Sequence, residues 1–210
     1  MFFIRKVVVT SVTRCNHCVF ALRCLFGQSG PSNVPLPSAI GGSGAATADA
    51  SGAVDVELSH KTSGIYIDED GRGFSYVLGL QGTAWAAYSA LGHWTPPPDL
   101  PASGQIKFNG QYALGLLRQN SQGAPDTERY NGTMELIADL DAQKLTGGNS
   151  DLSVEASISG SDLDGSVEFR GISGVLTGKL SREYGQGAFQ GQSDEALFAG
   201  GFKAYRKSDN

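Results

Sequence analysis

The sequence predicts an all-β fold: a single antiparallel up-and-down barrel of about eight strands, preceded by a flexible N-terminal segment. From Val54 onward, apolar residues alternate with polar ones, which is the period of half-buried strands. The same region contains no stretch that combines i, i+3, i+4 apolar spacing with helix caps. Glycine supplies 29 of the 210 residues, and small barrels use glycine where their strands bend sharply.

Four runs show the alternation most clearly and predict strands in chain order. The residues expected on their buried faces are Ile106, Phe108, Gly110, Tyr112 and Leu114; Met134, Leu136, Ala138 and Leu140; Leu152, Val154, Ala156 and Ile158; and Val167 with Phe169. We expect hairpin turns or bulges at Asp70-Gly71, Asn131-Gly132, Gly147-Gly148-Asn149 and Asp164-Gly165, because both features need positive φ. Asn109-Gly110 lies inside a run and predicts a bulge or bend.

The stretch GQGAFQGQSDEALFAGGFKAY, residues 185–205, is predicted to form the closing hairpin. Strands over 186–190 and 197–205 would flank a turn around 192–195. Glycine in these strands relieves the steric cost of curvature. An aromatic residue beside or across from each glycine is expected to cover the exposed backbone.

Charge is distributed unevenly along the chain. The formal charge is −5, but residues 1–48 contain four basic and no acidic residues, whereas 49–210 contain 12 basic and 21 acidic residues, a net charge near −9. Proteins that bind phosphate backbones carry strongly basic faces. Nucleic acid is therefore not an expected partner.

The N-terminal part divides into two segments before a barrel domain at 52–210. Residues 1–26 combine early positive charge with two short apolar runs, and they predict an export signal or leader; a misplaced start codon or a degraded signal explains them equally well. Cys15 and Cys24 are the candidate lipidation sites, although each follows an arginine. Residues 27–51 are rich in Gly, Ser and Pro and predict a flexible linker.

Catalytic and metal chemistry find little support in the residue pattern. The body has no cysteine and no G-x-S-x-G elbow, so we expect no enzyme activity and no catalytic residue. Asp68-Glu69-Asp70-Gly71 and Asp162-Leu163-Asp164-Gly165 lack the other ligands of a calcium loop and favour hairpin turns, so no metal or cofactor is expected. His93 and Trp94, before three prolines, are the candidate ligand-binding residues in a loop.

Several motifs together resemble the β-barrel domain of transferrin-binding protein B and its relatives, which include factor H-binding protein. YSALGHW (88–94), LPASGQIKFNGQYA (100–113), YNGTMELIADLDAQKLTG (130–147) and GAFQGQSDEALFAGGFKA (187–204) occur in the family's order. The motif residues are Pro101, Ser103, Gly104, Phe108 and Gly110, then Gly187, Phe189, Gly191, Glu195, Gly200, Gly201 and Phe202. The resemblance implies a lipoprotein of the Gram-negative cell envelope, at the outer membrane surface or in the periplasm. Some members of the family bind transferrin or other host proteins and related barrels bind haem, so the partner implied is a protein or a small solute.

Three functions remain open from the sequence. The first is a non-enzymatic binding module that contacts a protein or a small solute through loops 93–104 and 118–130, with membrane association only through a lipid anchor. The second is a carrier of haem or another small ligand, with His93, Trp94 or Tyr112 near a barrel mouth. The third is a structural envelope protein without a soluble ligand.

Overall fold

A computed structural model describes residues 47–48, 53–81 and 84–208, and every helix or strand assigned within these ranges is a β-strand. None of the described residues forms a helix long and apolar enough to cross a membrane. In chain order the strands are β1 Thr47–Ala48, β2 Val54–Asp55, β3 Ser59–Ile65, β4 Phe74–Gln81, β5 Ala84–Leu91, β6 Gln105–Gln119, β7 Pro125–Asp139, β8 Lys144–Gly148, β9 Leu152–Ser159, β10 Asp162–Phe169, β11 Ile172–Leu180, β12 Tyr184–Gln192 and β13 Ala196–Arg206.

Strands β6 to β13 form a closed antiparallel barrel of eight strands. Each strand pairs with its neighbours in the chain, and β13 pairs with β6 to close the sheet. The apolar residues predicted to share the inner faces of β6, β7, β9 and β10 are buried there. The predicted all-β barrel is therefore confirmed.

Side chains of the barrel's own strands fill its interior. Five phenylalanines contribute to this core, each at most 1% exposed: Phe108, Phe169, Phe189, Phe198 and Phe202. An eight-stranded barrel is just wide enough for its inward side chains to pack against one another. The interior of this barrel is thus filled by side chains, as expected for eight strands.

Glycines stand opposite aromatic residues at several positions of the barrel. The pairs are Gly132 with Tyr112, Gly187 with Phe202, and Gly191 with Phe198. In each pair, the nearest atoms to a Cβ added at the glycine include atoms of the opposing ring. The expectation that aromatic rings cover glycine backbone is confirmed here, and the closing hairpin spans β12 and β13 with a turn at 193–195.

Turn predictions had mixed outcomes. Asp70-Gly71 forms a turn, in which the Gly71 N–H donates to the Asp68 carbonyl oxygen at 2.9 Å. Asn131-Gly132 and Asp164-Gly165 lie inside β7 and β10, which pair without a register shift there, so hairpin turns or bulges at these positions were wrong. The bulge at Asn109-Gly110 was also wrong, because β6 pairs without interruption with β7 and β13. Glycine at these positions allows the neighbouring strand to approach closely. A Cβ at Gly165 would lie only 2.5 Å from the Ala156 Cα, which is too close for a normal contact.

A second sheet, β3-β4-β5, packs on the outside of the barrel and is called the outer sheet below. Its residues Phe74, Leu78 and Trp85 share one buried cluster with Ala113 of β6 and Ala199 of β13. Small residues on the outward faces of β6 and β13 allow this close approach. Within the range 52–210 predicted as the barrel domain, the outer sheet is built from 59–91 and the barrel strands from Gln105 to Arg206.

The segment before β3 covers the other face of the outer sheet. Val56 and Leu58 pack against Val77, Ala86 and Tyr88. The Val54 N–H also donates to the Ser75 Oγ at 2.9 Å. The outer sheet therefore lies between this segment and the barrel wall, and its position is fixed from both sides.

Candidate binding groove on the barrel wall

A groove lies where the outer sheet ends and the barrel wall continues uncovered. The strand register places Tyr205 beside Asn109, and Asn109 beside Glu135, on one row of the wall. The next row is Lys203, Gln111 and Thr133. Side chains at such neighbouring positions on one face of a sheet lie about 5 Å apart. These residues, distant in sequence, therefore form one continuous surface.

Two adjoining recesses make up this groove, with volumes of about 340 and 640 Å³. Both are lined by the row Lys203, Gln111 and Thr133. The smaller is bounded by Tyr66 and Phe74 of the outer sheet, and the larger by residues that include Tyr205 and Asn109. We call the two recesses together the wall groove.

Exposed tyrosines stand at both ends of the wall groove and are held by other aromatic rings. Tyr66 is 40% exposed and stacks on Phe74 with 5.0 Å between ring centroids. Tyr205 is 51% exposed, and its centroid lies 5.1 Å from that of the buried Tyr184. Trp94 packs edge-to-face on Tyr184 at 5.0 Å. Both tyrosines are thus supported on one side and open to solvent on the other.

Several polar groups in the wall groove have no partner within the described part of the chain. The carboxamides of Asn109 and Gln111 make no hydrogen bond there, and the Lys203 ammonium makes no ion pair with any described residue. Glu135 is different, because its carboxylate receives the Lys207 Nζ at 3.3 Å. The groove therefore offers free donors and acceptors together with one unpaired cation.

The residues that line the groove include one cation, Lys203, and one acid, Glu135, so the groove does not share the strong net negative charge of the body. Strands β6 and β13 contain no acidic residue, while they carry the bases Lys107, Arg118, Lys203 and Arg206. The rest of the body is strongly acidic. Charges are screened over about 8 Å at physiological ionic strength, so a ligand in the groove responds mainly to Lys203 and to the Glu135–Lys207 pair.

The sequence-derived candidates fall in different places. His93 is exposed, whereas Trp94 is half-buried, and its backbone N–H donates to the Gly71 carbonyl oxygen at 3.0 Å. Tyr112 faces the barrel interior at 4% exposure rather than a barrel mouth. The structure therefore does not bring His93, Trp94 and Tyr112 together as a ligand site. Cys15 and Cys24 lie outside the described residues.

Loop 118–130 proved to be mostly strand, so its description as a long loop was wrong. Strand β6 continues to Gln119 and β7 starts at Pro125. The connecting turn is fastened by Asn120, whose Oδ1 accepts the Gln122 N–H at 2.9 Å and the Ala124 N–H at 3.0 Å. Polar residues near this turn belong to the outer faces of a long hairpin.

Sequence reasoning did not select Asn109, Gln111, Lys203 or Tyr205. Their signal was present, because each occupies a polar or outward position in an alternating run. The sequence did not show that these residues are neighbours. Strands β6 and β13 pair across about 95 residues of chain, and neither strand's own sequence determines the register between them.

A further recess of about 640 Å³ lies at the barrel end formed by the turns after β6, β10 and β12. The Arg170 guanidinium lies 4.4 Å from the Tyr130 ring centroid, and Arg170 Nε contacts Asp151 Oδ1 at 3.0 Å. Tyr130 donates to Glu128, and this hydrogen bond raises the pKa of Tyr130. Glu128 also pairs with Arg118. The charged and polar groups of this recess therefore pair with one another at the end of the barrel.

Across the described residues, no group of three or more His, Cys, Asp or Glu is arranged to hold a metal ion.

Comparison with known proteins gave matches in structure alone. No protein-family model and no curated protein matches the chain. A transferrin-binding protein B variant from Haemophilus parasuis is similar at 16% identity and TM-score 0.47, over 65% of this chain and 34% of that one. HpuA from Kingella denitrificans, in complex with human haemoglobin, is similar at 19% identity and TM-score 0.41, over 65% and 55%.

A transferrin-binding protein B variant from Actinobacillus pleuropneumoniae is similar at 14% identity and TM-score 0.48, over 72% of this chain and 83% of that one. The likeness is one of fold. Transferrin-binding protein B, whose family the sequence motifs resemble, is among the proteins to which the chain is similar in structure. The chain spans a third to about half of the first two of these proteins.

Proposed function

We propose that this protein is a non-enzymatic binding module of the Gram-negative cell envelope that holds a macromolecular partner at the wall groove. The observation that carries this proposal is the contrast between the barrel's two faces. The interior is filled by side chains, while the outer wall presents exposed tyrosines and unbonded carboxamides beside a groove.

The filled interior favours recognition on the outside over a ligand carried within. Phe198 packs against Phe169 and Phe189, with ring centroids 5.9 and 6.0 Å apart. A haem or similar ligand inside the barrel would have to displace such rings, and each buried aromatic contributes about 3–5 kcal/mol to stability. The geometry therefore does not support a ligand held inside the barrel. The carrier hypothesis placed its ligand near a barrel mouth instead, where its candidates differ in setting, since His93 is exposed and Tyr112 is buried.

The wall groove has the composition of a recognition surface. Tyrosine is enriched at the centres of protein interfaces, because it combines a large apolar ring with a hydroxyl. Tyr66 and Tyr205 are both open to solvent and backed by other rings, so binding would immobilise little that is not already ordered. A host protein is one of the partners that the sequence resemblance implies.

Envelope location and anchoring are part of the same proposal. The resemblance implies export to the outer membrane surface or the periplasm, with Cys15 or Cys24 as the candidate lipid anchor. Residues 27–51 would then act as the tether and 52–210 as the folded domain. Mass spectrometry of the mature protein purified from membranes would show whether either cysteine carries a lipid.

Affinity capture with matched variants tests the binding function. The full chain, Gln111→Ala, Tyr205→Ala and the control Gln192→Ala, at the far end of the closing hairpin, would be immobilised and exposed to host serum and to envelope extract. We expect a saturable partner that the native chain and the control retain equally and that both groove variants retain at least about tenfold more weakly, which corresponds to about 1.4 kcal/mol.

Equal retention by all four proteins would contradict the placement of the site in the wall groove. Replacement of loop 93–104 by Gly and Ser would then test the region around His93 and Trp94. If neither serum nor extract yields a saturable partner, the binding function itself is contradicted, and the structural alternative is favoured.

A further inference from the structure

We infer that the wall groove binds a saccharide that carries a carboxylate. This inference rests on the proposed function for the location of the ligand, and it adds the ligand's chemistry. Three features of the groove lead to it: the charge at its centre, the hydrogen-bonding groups around that charge, and the aromatic rings at its ends.

The centre of the groove favours an anion. Lys203 lines both recesses, and no described residue pairs with its ammonium. Glu135, the acid among the residues that line the recesses, is paired with Lys207, with 3.3 Å between Nζ and Oε1. Strands β6 and β13 add no acid of their own. A single carboxylate on the ligand would therefore meet one cation without facing a competing free acid on these two strands.

Groups around Lys203 favour a ligand rich in hydroxyls. Gln111 and Thr133 follow Lys203 along the row, and Asn109 lies two residues from Gln111 on the same face of β6. Each carboxamide presents two donors and one acceptor in a plane. Successive side chains on one face of a strand are about 7 Å apart. The row can thus contact several neighbouring hydroxyls of one ligand, whose other groups remain in water.

The ends of the groove favour a ligand with apolar faces. Tyr66 and Tyr205 each expose part of a ring whose other side is packed. Sugar rings combine C–H faces, which pack on aromatic rings, with hydroxyl edges, which hydrogen-bond to amides.

Such a saccharide has two sources with the same chemistry. One is the terminal acidic sugar of a glycan on a glycoprotein, and the other is an acidic polysaccharide built of uronic acids. Both present a carboxylate, ring hydroxyls and C–H faces. The experiment therefore carries an arm for each source.

Titrations with the full-length protein test the inference directly. The probes are sialyllactose, its neutral counterpart lactose, a uronic acid tetrasaccharide and sodium acetate, and binding is followed by ligand-observed NMR. The variants are Lys203→Gln and Gln111→Ala, both on the exposed wall, with Lys179→Gln on β11 as the matched lysine control. Circular dichroism and thermal unfolding of each variant confirm that the fold is retained.

We expect at least one acidic saccharide to bind about tenfold or more tightly than lactose, and acetate to bind no better than lactose. Lys203→Gln should lower the acidic saccharide's affinity about tenfold, since a charge-assisted hydrogen bond is lost, and should leave lactose unchanged. Gln111→Ala should weaken both, and Lys179→Gln neither. Preference for sialyllactose or for the tetrasaccharide identifies the source.

Binding of no saccharide, or binding unaffected by Lys203→Gln and Gln111→Ala, would overturn the inference. The captured partner separates this failure from failure of the proposed function. If a partner is retained through the wall groove and its retention survives enzymatic removal of its acidic sugars, the binding module stands and the saccharide inference is wrong. If the groove variants retain the partner as well as the native chain does, the proposed function is also wrong.

Discussion

The pairing of Gly132 with Tyr112 gives a quantitative test of why this barrel uses glycine within its strands. The two residues are direct register partners on β6 and β7. A Cβ at position 132 would lie 2.7 Å from Tyr112 Cε1, 2.9 Å from its Oη and 3.0 Å from its Cζ. The three nearest atoms all belong to the Tyr112 side chain, so the cost of Gly132→Ala should depend mainly on Tyr112.

Two opposing effects determine how much Gly132→Ala changes the free energy of unfolding. Forcing a methyl group against a packed ring costs about 1–3 kcal/mol. Replacing glycine by alanine restores about 0.4–1 kcal/mol, because the unfolded chain loses conformational freedom. Gly132→Ala should therefore destabilise the native protein by about 1–2 kcal/mol. In a Tyr112→Ala background the obstruction is absent, and the same change should stabilise by about 0.5 kcal/mol.

Urea unfolding followed by tryptophan fluorescence measures this double-mutant cycle. The coupling energy should be about 1.5–2.5 kcal/mol, within the range found for residues in contact. Tyr112→Leu offers a milder second background if Tyr112→Ala unfolds. Gly123→Ala is the matched control, since its φ is +78° and it has no neighbour within 4 Å, so its cost should be equal in both backgrounds. An equal cost of Gly132→Ala in both backgrounds would refute the reasoning.

Three further predictions concern the outer sheet, a hairpin turn and alkaline stability. Phe74→Ala should cost about 3–5 kcal/mol in urea unfolding, because the ring is 1% exposed and fills the space over Gly201; a loss below 1 kcal/mol would contradict its docking role. Arg170 has φ 48°, so Arg170→Ala should be less stable than Arg170→Gly by about 1 kcal/mol in thermal unfolding, although both lose the contact with Tyr130. Burial raises the pKa of Tyr76 to about 12. The unfolded chain loses this proton near pH 10, so stability should fall by up to about 1.4 kcal/mol per pH unit from pH 10 to 12, and Tyr76→Phe should reduce the slope.

Sequence reasoning recovered the parts of this molecule that are encoded locally. Alternation in a run such as 106–114 predicts both a strand and its buried face, because side chains of a strand point alternately to its two sides. The closing hairpin was predicted close to its actual bounds for the same reason. Glycine dipeptides were less informative, since Asp164-Gly165 fits a turn by composition and yet lies within β10.

The wall groove could not be predicted from local sequence patterns. Lys203, Gln111 and Thr133 come from three strands and are neighbours only in the register of β13, β6 and β7. Trp94 was selected as a loop residue, but its contact with Tyr184 depends on where the outer sheet places Gly71 and the chain that follows. Neither relation is a property of any single segment.

By itself, the sequence determined the strand period, the inward faces, the acidic body and the basic character of β6 and β13. Those features follow from residue type and spacing along one chain. Tertiary structure alone decided that β13 closes on β6, that the outer sheet covers one part of the wall, and that the uncovered part forms a groove. Such features depend on long-range strand pairing and on the packing of one surface against another. The alternation of apolar residues does not predict them, because a strand shows the same alternation whichever strand it pairs with.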